Sequence, residues 1–133
     1  MAGHKTYDTS FAACPVEVTL DLIDGKWKGV LLYHLGQGPR RFNELRRLTP
    51  TTTQRMLTKQ LRELEADGLV IRTIYPEVPP RVDYRLSARG ESLSPIIAAL
   101  KAWGQQHLAE RDVAGRDMAG GATAADRPES AAA

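Results

Sequence analysis

The stretch RRFNELRRLTPTTTQRMLTKQLRELEADG, residues 40–68, decides the fold because it contains two helical patterns separated by a turn. Its first part carries Phe42, Leu45 and Leu48 at helical spacing, which predicts a short amphipathic helix over RRFNELRRL. The segment TPTTT, residues 49–53, follows and is rich in the residue types that cap helices and favour turns.

The second pattern is the most regular helix in the sequence and covers TQRMLTKQLRELEADG, residues 53–68. Leu57, Leu61 and Leu64 form one apolar stripe along it. Gly68 suits the position after the last helical turn, where a left-handed backbone ends many helices. A short helix, a turn and a longer helix in this order predict a helix-turn-helix pair.

Two further helices are predicted before this pair, in PVEVTLDLIDGKWKGVLLYHL, residues 15–35. Val16 and Leu20 recur at helical spacing, and Pro15 suits the first turn of a helix. Gly25 interrupts the pattern, so a second helix begins after it and is ended by GQGP. The apolar positions of this second helix are Trp27, Val30, Leu31 and Leu35.

The period changes from helical to extended after the helix-turn-helix pair. LVIRTIY (69–75) and RVDYRLS (81–87) are rich in β-forming residues with partial alternation, which predicts two strands. PEVPP (76–80) joins them, and its three prolines keep the tip out of regular pairing. These runs predict a β-hairpin of the kind called a wing.

A last helix is predicted from Ser87 or Ala88 to about Glu110, and Pro95 within it should kink the helix or delay its start. The predicted fold class is mainly α with a small β-hairpin, a winged helix-turn-helix. Residues 1–13 are expected to form a flexible arm, residues 14–110 the winged helix-turn-helix domain, and residues 111–133 a disordered Ala/Gly-rich tail.

Charge is distributed unevenly along the chain. The net formal charge is +2, but the segment from Lys26 to Arg89 holds thirteen Lys and Arg against six Asp and Glu. The remainder holds five basic and ten acidic residues. A basic middle with acidic ends favours a surface that binds a polyanion, and the alternative is an ordinary solvated face.

The predicted second helix of the pair has a polar face opposite its leucines. It is long enough to lie in a DNA major groove, where Gln pairs with adenine and Arg with guanine. The alternative is an amphipathic surface helix, but Glu63, Glu65 and Asp67 lie at the end where the helix dipole disfavours acids. That placement favours a role in DNA binding. The predicted recognition residues are Thr53, Gln54, Arg55, Thr58, Lys59 and Arg62.

Further arginines are candidates for contacts to the DNA backbone or, in the wing, to a minor groove. Each has the alternative of being a free surface side chain. The predicted backbone and wing residues are Arg40, Arg41, Arg46, Arg47 and Arg81.

Three segments together resemble the HxlR family of bacterial winged-helix transcriptional regulators: CPVEVTLDLIDGKWKGVLLYHL, RRFNELRRLTPTTTQRMLTKQLRELEADGLVIR and YPEVPPRVDYRLSARGESL. The resemblance covers about residues 14–104. It implies a cytoplasmic homodimer that binds operator DNA as a repressor or activator, with Thr53–Asp67 as its recognition helix. It also implies dimerisation through the N-terminal and the long C-terminal helices. The segment TPTTT replaces a more usual glycine-containing turn.

The apolar residues of the outer helices independently favour a dimer, because they exceed what a small winged domain needs for its own core, and tryptophan is enriched at interfaces. The alternative is that they complete the monomer core. A two-fold dimer would present two recognition helices to successive major grooves. The predicted interface residues are Val16, Leu20, Trp27, Leu93, Ile97, Leu100 and Trp103.

Cys14, the only cysteine, precedes Pro15 at the start of the first predicted helix. Some members of the resembled family sense oxidants or electrophiles through a cysteine beside a proline, and that motif falls on Cys14. A helix N-terminus favours the thiolate, whereas nearby Glu17 opposes it. The alternative is a buried thiol that packs as a small hydrophobe, against the partner subunit or within the chain.

The remaining classes of function are less well supported. One cysteine excludes an intrachain disulfide and a cysteine-cluster metal site, and the three histidines lack ligand spacing, so no metal or cofactor is expected. No nucleophile–base pair or phosphate loop indicates an enzyme. No apolar run is long enough to span a membrane and no secretory signal is present, so the cytoplasm is expected. A protein-interaction module, or a regulator controlled by a small ligand with Cys14 purely structural, remains the alternative.

Overall fold

The computed structural model describes residues 14–119 as six helices and three strands. The chain divides after Ile97, and the winged helix-turn-helix unit lies before that point. The elements are α1 (Pro15–Ile23), α2 (Trp27–Leu35), β1 (Arg40–Arg41), α3 (Phe42–Leu48), α4 (Gln54–Ala66), β2 (Val70–Tyr75), β3 (Arg81–Leu86), α5 (Ala88–Glu91) and α6 (Ser94–Ala119).

The predicted helix-turn-helix pair is confirmed as α3 and α4. The side-chain oxygen of Thr53 caps α4 by accepting a hydrogen bond from the Met56 amide at 3.0 Å. Gly68 follows the helix with φ of +76°, the conformation that favours glycine after a helix C-terminus. In the turn, the buried hydroxyl of Thr49 donates to the Leu45 carbonyl at 2.7 Å. The threonine-rich turn is therefore held by its own side chains.

The sheet has three antiparallel strands in the order β1-β3-β2. The predicted hairpin is confirmed as β2 and β3, paired from Val70 with Leu86 to Tyr75 with Arg81. The prediction that Arg40 and Arg41 begin a helix is wrong, because these two residues form β1 and pair with β3. Two residues are too few to produce an alternating pattern, and the free edge of β3 supplies their hydrogen-bonding partners.

The core lies where α2 and α4 pack together and against the sheet. Leucines dominate it, because each helix directs an i, i+3/i+4, i+7 stripe inward. Phe42 and Tyr84 pack against its edge, half-buried. The buried apolar residues are Leu31, Leu32, Leu35, Leu45, Leu57, Leu61, Leu64, Leu69, Val70, Leu86, Leu93 and Ile97.

Two residues predicted for the dimer interface belong to this core. Leu93 and Ile97 are 8% and 7% exposed within the single chain, so little of either side chain is left for a second copy to cover, and their contact with one stays a prediction. The reason for their burial is the close packing of α5, in which any side chain at Gly90 would overlap the Leu69 carbonyl oxygen. Ser87 also donates its backbone N–H to that oxygen at 3.0 Å. These contacts draw the start of the last helical region onto the core.

The last predicted helix is two helices, α5 and α6, and Pro95 lies in the first turn of α6. The delayed start that Pro95 predicted is therefore confirmed. The helix continues to Ala119 rather than ending near Glu110, so the prediction of disorder is wrong for residues 111–119. The Ala/Gly-rich composition on which that prediction rests lies mostly after residue 119, and residues 111–119 contain only one glycine and no proline. The predicted arm and the rest of the predicted tail lie outside the described residues.

Within residues 14–119, no helix is both long enough and apolar enough to cross a bilayer.

Candidate nucleic-acid interface

The predicted recognition residues lie on the outward side of α4, opposite its buried leucines. Gln54, Arg55, Lys59 and Arg62 are exposed, and Thr58 is half-buried. Thr53 is exposed at the N-cap position, so it belongs to the end of the helix rather than to its outer face. The fold thus brings the six predicted residues to one end and one side of a thirteen-residue helix.

The three cations of this face are available to an external anion. Within residues 14–119, Arg55, Lys59 and Arg62 form no ion pair. The acidic residues of α4 have partners inside the chain. Glu63 contacts Lys28 at 2.8 Å, and Glu65 contacts Arg72 at 3.5 Å. Glu63 and Glu65 therefore have a structural role, so their place near the C-terminus of α4 no longer indicates DNA binding. In the described part of the chain, the exposed cations of α4 have no such structural role.

Met56 belongs to the same surface and was not identified from the sequence. It is 38% exposed in the first turn of α4, and its sulfur accepts a hydrogen bond from the Gln60 side chain at 3.3 Å. An exposed apolar side chain beside polar readers is suited to the methyl group of thymine. The sequence does indicate that Met56 is exposed, because it is an apolar residue that lies outside the stripe of Leu57, Leu61 and Leu64.

The outward face of α3 carries Arg46 and Arg47, both exposed. Together with Asn43 they line an open depression of about 310 Å³. Neither arginine forms an ion pair with any residue in the described part of the chain. Both predicted backbone contacts are thus placed on the first helix of the pair, which crosses the DNA backbone in helix-turn-helix proteins.

The two arginines of β1 have acidic neighbours. The Arg40 guanidinium lies 3.9 Å from the Glu44 carboxylate, and that of Arg41 lies 3.8 Å from Asp83. Glu44 also accepts a hydrogen bond from the Arg41 backbone N–H at 3.0 Å, which caps the start of α3. Arg40 and Arg41 therefore serve the junction between the sheet and α3, and their predicted contact with DNA stays a prediction.

The wing arginine, Arg81, is enclosed by contacts within the wing. Its guanidinium carbon lies 4.0 Å from the centre of the Tyr75 ring. Its nitrogens lie 3.7 Å from Glu77 and 3.8 Å from Asp83. The Asp83 Oδ1 atom is buried and makes no hydrogen bond, so its two guanidinium contacts, each at 3.8 Å, are ion pairs without a hydrogen bond. Arg81 would have to leave these partners to reach a phosphate.

Two groups near the sheet have shifted pKa values. Burial, and secondly the charge of Arg40, lower the pKa of His34 below 6.5. Burial raises the pKa of Tyr84 above 10, which outweighs the opposing charge of Arg72. His34 is therefore neutral at pH 7, and Tyr84 keeps its proton there.

Large apolar side chains remain exposed on the outer helices. On α1, Val16 is 64% and Leu20 is 55% exposed. On α6, Leu100 is 53% and Trp103 is 70% exposed. Trp27 on α2 is half-buried. These five of the seven predicted interface residues are thus incompletely covered in the single chain, as an interface would require.

Cys14 is a free, exposed thiol at the N-cap of α1. Its carbonyl accepts a hydrogen bond from the Val18 amide at 3.0 Å, which begins the helix. The prediction of a thiol buried within its own chain is therefore wrong, because the side chain precedes the first helical turn. Burial against a partner subunit stays a prediction. Within residues 14–119, no three metal-ligating side chains cluster.

Comparisons of the sequence and of the structure both match this chain to helix-turn-helix transcriptional regulators. The family model described as HxlR-like helix-turn-helix matches residues 22–112. YybR, a helix-turn-helix transcriptional regulator of Bacillus subtilis, is 58% identical over 113 residues, which are 85% of this chain and 88% of the relative. The oxidised redox regulator HypR is 60% identical, with a TM-score of 0.67 over 69% of this chain and 95% of that chain. Reduced YodB, a transcriptional regulator of B. subtilis, is 34% identical, with a TM-score of 0.62 over 71% and 94%.

Proposed function

The chain belongs to the HxlR family of helix-turn-helix transcriptional regulators, and we propose that it acts in the cytoplasm as a homodimer whose α4 helices read operator DNA. One observation carries the proposal. The outer face of α4 presents Arg55, Lys59 and Arg62 without an intramolecular ion pair among the described residues. The major groove suits such a helix, because the Gln54 amide can bind a base edge and the cations can bind base edges or phosphates.

In this arrangement the side chains of α4 have distinct roles. Arg55 binds a guanine bidentately, and Gln54 binds an adenine in the same way. Lys59 and Arg62 neutralise phosphates, while Arg46 and Arg47 hold the backbone from α3. Phosphate contacts fix the position of the helix, and base contacts select the sequence.

The recognition role is tested with a duplex that the wild-type protein selects from a random-sequence pool. Arg55→Ala should weaken binding to this duplex by about 1–3 kcal/mol and relax selection at one base-pair position. Arg89→Ala is the matched control, since Arg89 is also exposed but lies on α5 rather than on α4. Unchanged binding by Arg55→Ala, or an equal loss with Arg89→Ala, would show that α4 does not read the bases as assigned.

Dimerisation would cover the exposed apolar residues of α1 and α6. Two α4 helices would then meet a pseudo-palindromic operator in successive major grooves, about 34 Å apart. Trp103→Glu should shift the protein from dimer to monomer in analytical ultracentrifugation, because the charge would be buried in the interface. Gln105→Glu places the same charge at another exposed position of α6 and should leave the dimer intact. A Trp103→Glu dimer of unchanged strength would contradict the interface.

A response to oxidants or electrophiles through Cys14 is a second element of the proposal. It is supported by the exposure of the thiol at a helix N-terminus and by the similarity to a redox regulator. With diamide as oxidant, two Cys14 thiols would lose two protons and two electrons to the diazene, which becomes a hydrazine. One S–S bond would form between subunits.

The thiol role is tested by DNA affinity and by non-reducing electrophoresis before and after diamide treatment. Wild type should form a dithiothreitol-reversible dimer band and change its DNA affinity, and Cys14→Ser should do neither. With diamide present, a low-molecular-weight thiol would instead form a mixed disulfide with Cys14, and the diazene would take up the two protons and two electrons. A quinone would accept the Cys14 thiolate by conjugate addition, with no further oxidant. Either product raises the mass of the chain without linking the subunits. Equal responses of wild type and Cys14→Ser, or none in either, would exclude Cys14 as the sensor.

A further inference from the structure

A buried lysine links three helices of the winged unit. Lys28 lies in the first turn of α2 and is only 2% exposed. Its ammonium nitrogen is 2.8 Å from the Glu63 carboxylate on the recognition helix α4. The same nitrogen is 3.6 Å from the carboxylate of Asp24, the C-cap residue of α1.

Apart from Lys28 itself, the residues on the buried face of α2 are apolar. Lys28 stands on the buried face of α2, at i, i+3/i+4 and i+7 with Leu31, Leu32 and Leu35. Desolvation of two charges is costly, and replacing a buried ion pair by apolar side chains of similar volume is often neutral or stabilising. The stability of the core therefore does not by itself explain a lysine and a glutamate at these positions.

We propose that the Lys28–Glu63 pair is a positioning device that fixes the rotation of α4 about its own axis and so aims the DNA-reading side chains. This inference rests on the proposed function, in which α4 reads operator DNA. The leucine stripe of α4 holds the helix against the core, but apolar contacts are non-directional. A hydrogen-bonded ion pair has a preferred distance and direction, so it selects one rotation.

The position of Glu63 makes it sensitive to this rotation. It lies four residues after Lys59 and eight after Arg55, on the flank of α4 between the reading face and the core. Side chains extend about 5–6 Å from a helix axis, so a rotation of about 20° moves their ends by about 2 Å. Hydrogen bonds to base edges tolerate only about 0.5 Å of variation. A small rotation would therefore remove base contacts while phosphate contacts persist.

The test separates orientation from stability with the double variant Lys28→Met/Glu63→Leu. It should fold with a thermal midpoint equal to or above that of wild type and bind random-sequence duplex within about twofold of wild type. Its preference for the duplex selected by wild type should fall by about tenfold or more, as expected for the loss of one bidentate base contact. The control is Arg72→Met/Glu65→Leu, which removes the more exposed ion pair of α4 and should keep the preference.

A second measurement needs no DNA. Backbone residual dipolar couplings report the orientation of α4 relative to α2, and they should differ between wild type and Lys28→Met/Glu63→Leu. If wild type itself fails to prefer any duplex, the proposed function is wrong, and the couplings still decide the positioning role.

The outcomes that would overturn the inference are specific. Unchanged preference together with unchanged couplings would mean that the leucines alone aim the helix. If Lys28→Met/Glu63→Leu does not fold, the same measurements are made on Lys28→Met/Glu63→Gln, which keeps the shape of the glutamate. Failure of both variants to fold would show that the pair is required for stability, which contradicts the assigned role.

Discussion

Replacing Arg47 should flatten the salt dependence of DNA binding, whereas replacing Arg81 should leave it unchanged. Both were candidates for phosphate contacts on the basis of sequence. Arg47 is exposed and forms no ion pair among the described residues. Arg81 already lies against Tyr75 and two carboxylates. A guanidinium whose charge is balanced within the protein releases fewer counterions when the protein binds DNA.

The magnitude follows from counting the cations of α3 and α4 that lack an ion pair among the described residues. Each protomer has five of them: Arg46, Arg47, Arg55, Lys59 and Arg62. Arg55 is assigned to a guanine, so the other four give the proposed dimer eight phosphate contacts. Each phosphate contact contributes about 0.9 to the slope of log affinity against log salt, so the wild-type slope should be about −7. Arg47→Ala removes two contacts per dimer and should flatten the slope by about 1.8, whereas Arg81→Ala should change it by about zero.

The assay is fluorescence anisotropy of a labelled duplex at salt concentrations from about 50 to about 200 mM. As the salt concentration rises over that range, the affinity of wild type should fall by roughly ten times the factor by which that of Arg47→Ala falls. Thermal denaturation of both variants checks that folding is intact. If Arg81→Ala flattens the slope as much as Arg47→Ala, the wing ion pairs do not restrain Arg81. An unchanged slope for Arg47→Ala would remove α3 from the interface.

Three further predictions concern the scaffold. Gly90→Ala should destabilise the fold by about 1–3 kcal/mol in urea denaturation, because the new methyl group meets the Leu69 carbonyl; Gly104→Ala, with open space around it, should cost nothing. Thr53→Ala should cost about 1 kcal/mol by removing the α4 cap, and no loss would show the cap to be dispensable. The pKa of His34 is lower in the folded than in the unfolded state. The free energy of unfolding should therefore decrease as the pH falls from about 6.5 through the pKa of the folded state. Urea midpoints measured against pH should show a smaller decrease for His34→Gln than for wild type.

Elements with strong local signals were predictable from the sequence. The α4 helix combines a leucine stripe, a threonine cap and a terminal glycine, and all three act in the structure as the pattern predicts. The hairpin was also predictable, because its strands are bounded by proline and glycine. Periodicity and caps suffice where one segment determines its own structure.

Features that depend on distant contacts were not predicted. β1 exists because β3 offers a free edge, and no local pattern of Arg40 and Arg41 indicates this. The burial of Leu93 and Ile97 follows from the close approach of α5 to the Leu69 carbonyl.

The Lys28–Glu63 pair was also missed, although the sequence contained a signal for it. Lys28 shares the helical spacing of buried leucines, whereas its partner lies thirty-five positions away. The sequence of α2 alone shows that a charged residue occupies an apolar position. It does not show which residue elsewhere in the chain neutralises that charge.

The two sides of α4 have separate consequences for how this protein can change over evolution. The inner side of α4 packs against the rest of the chain through Leu57, Leu61, Leu64 and Glu63. Substitutions there therefore affect folding or the orientation of the helix. The outer cations touch no ion-pair partner in the described chain, so exchanging them costs little stability. Gene duplicates of this protein could thus acquire new target sites by a few outward substitutions on an unchanged framework, and the same positions are where a designer would begin to retarget it.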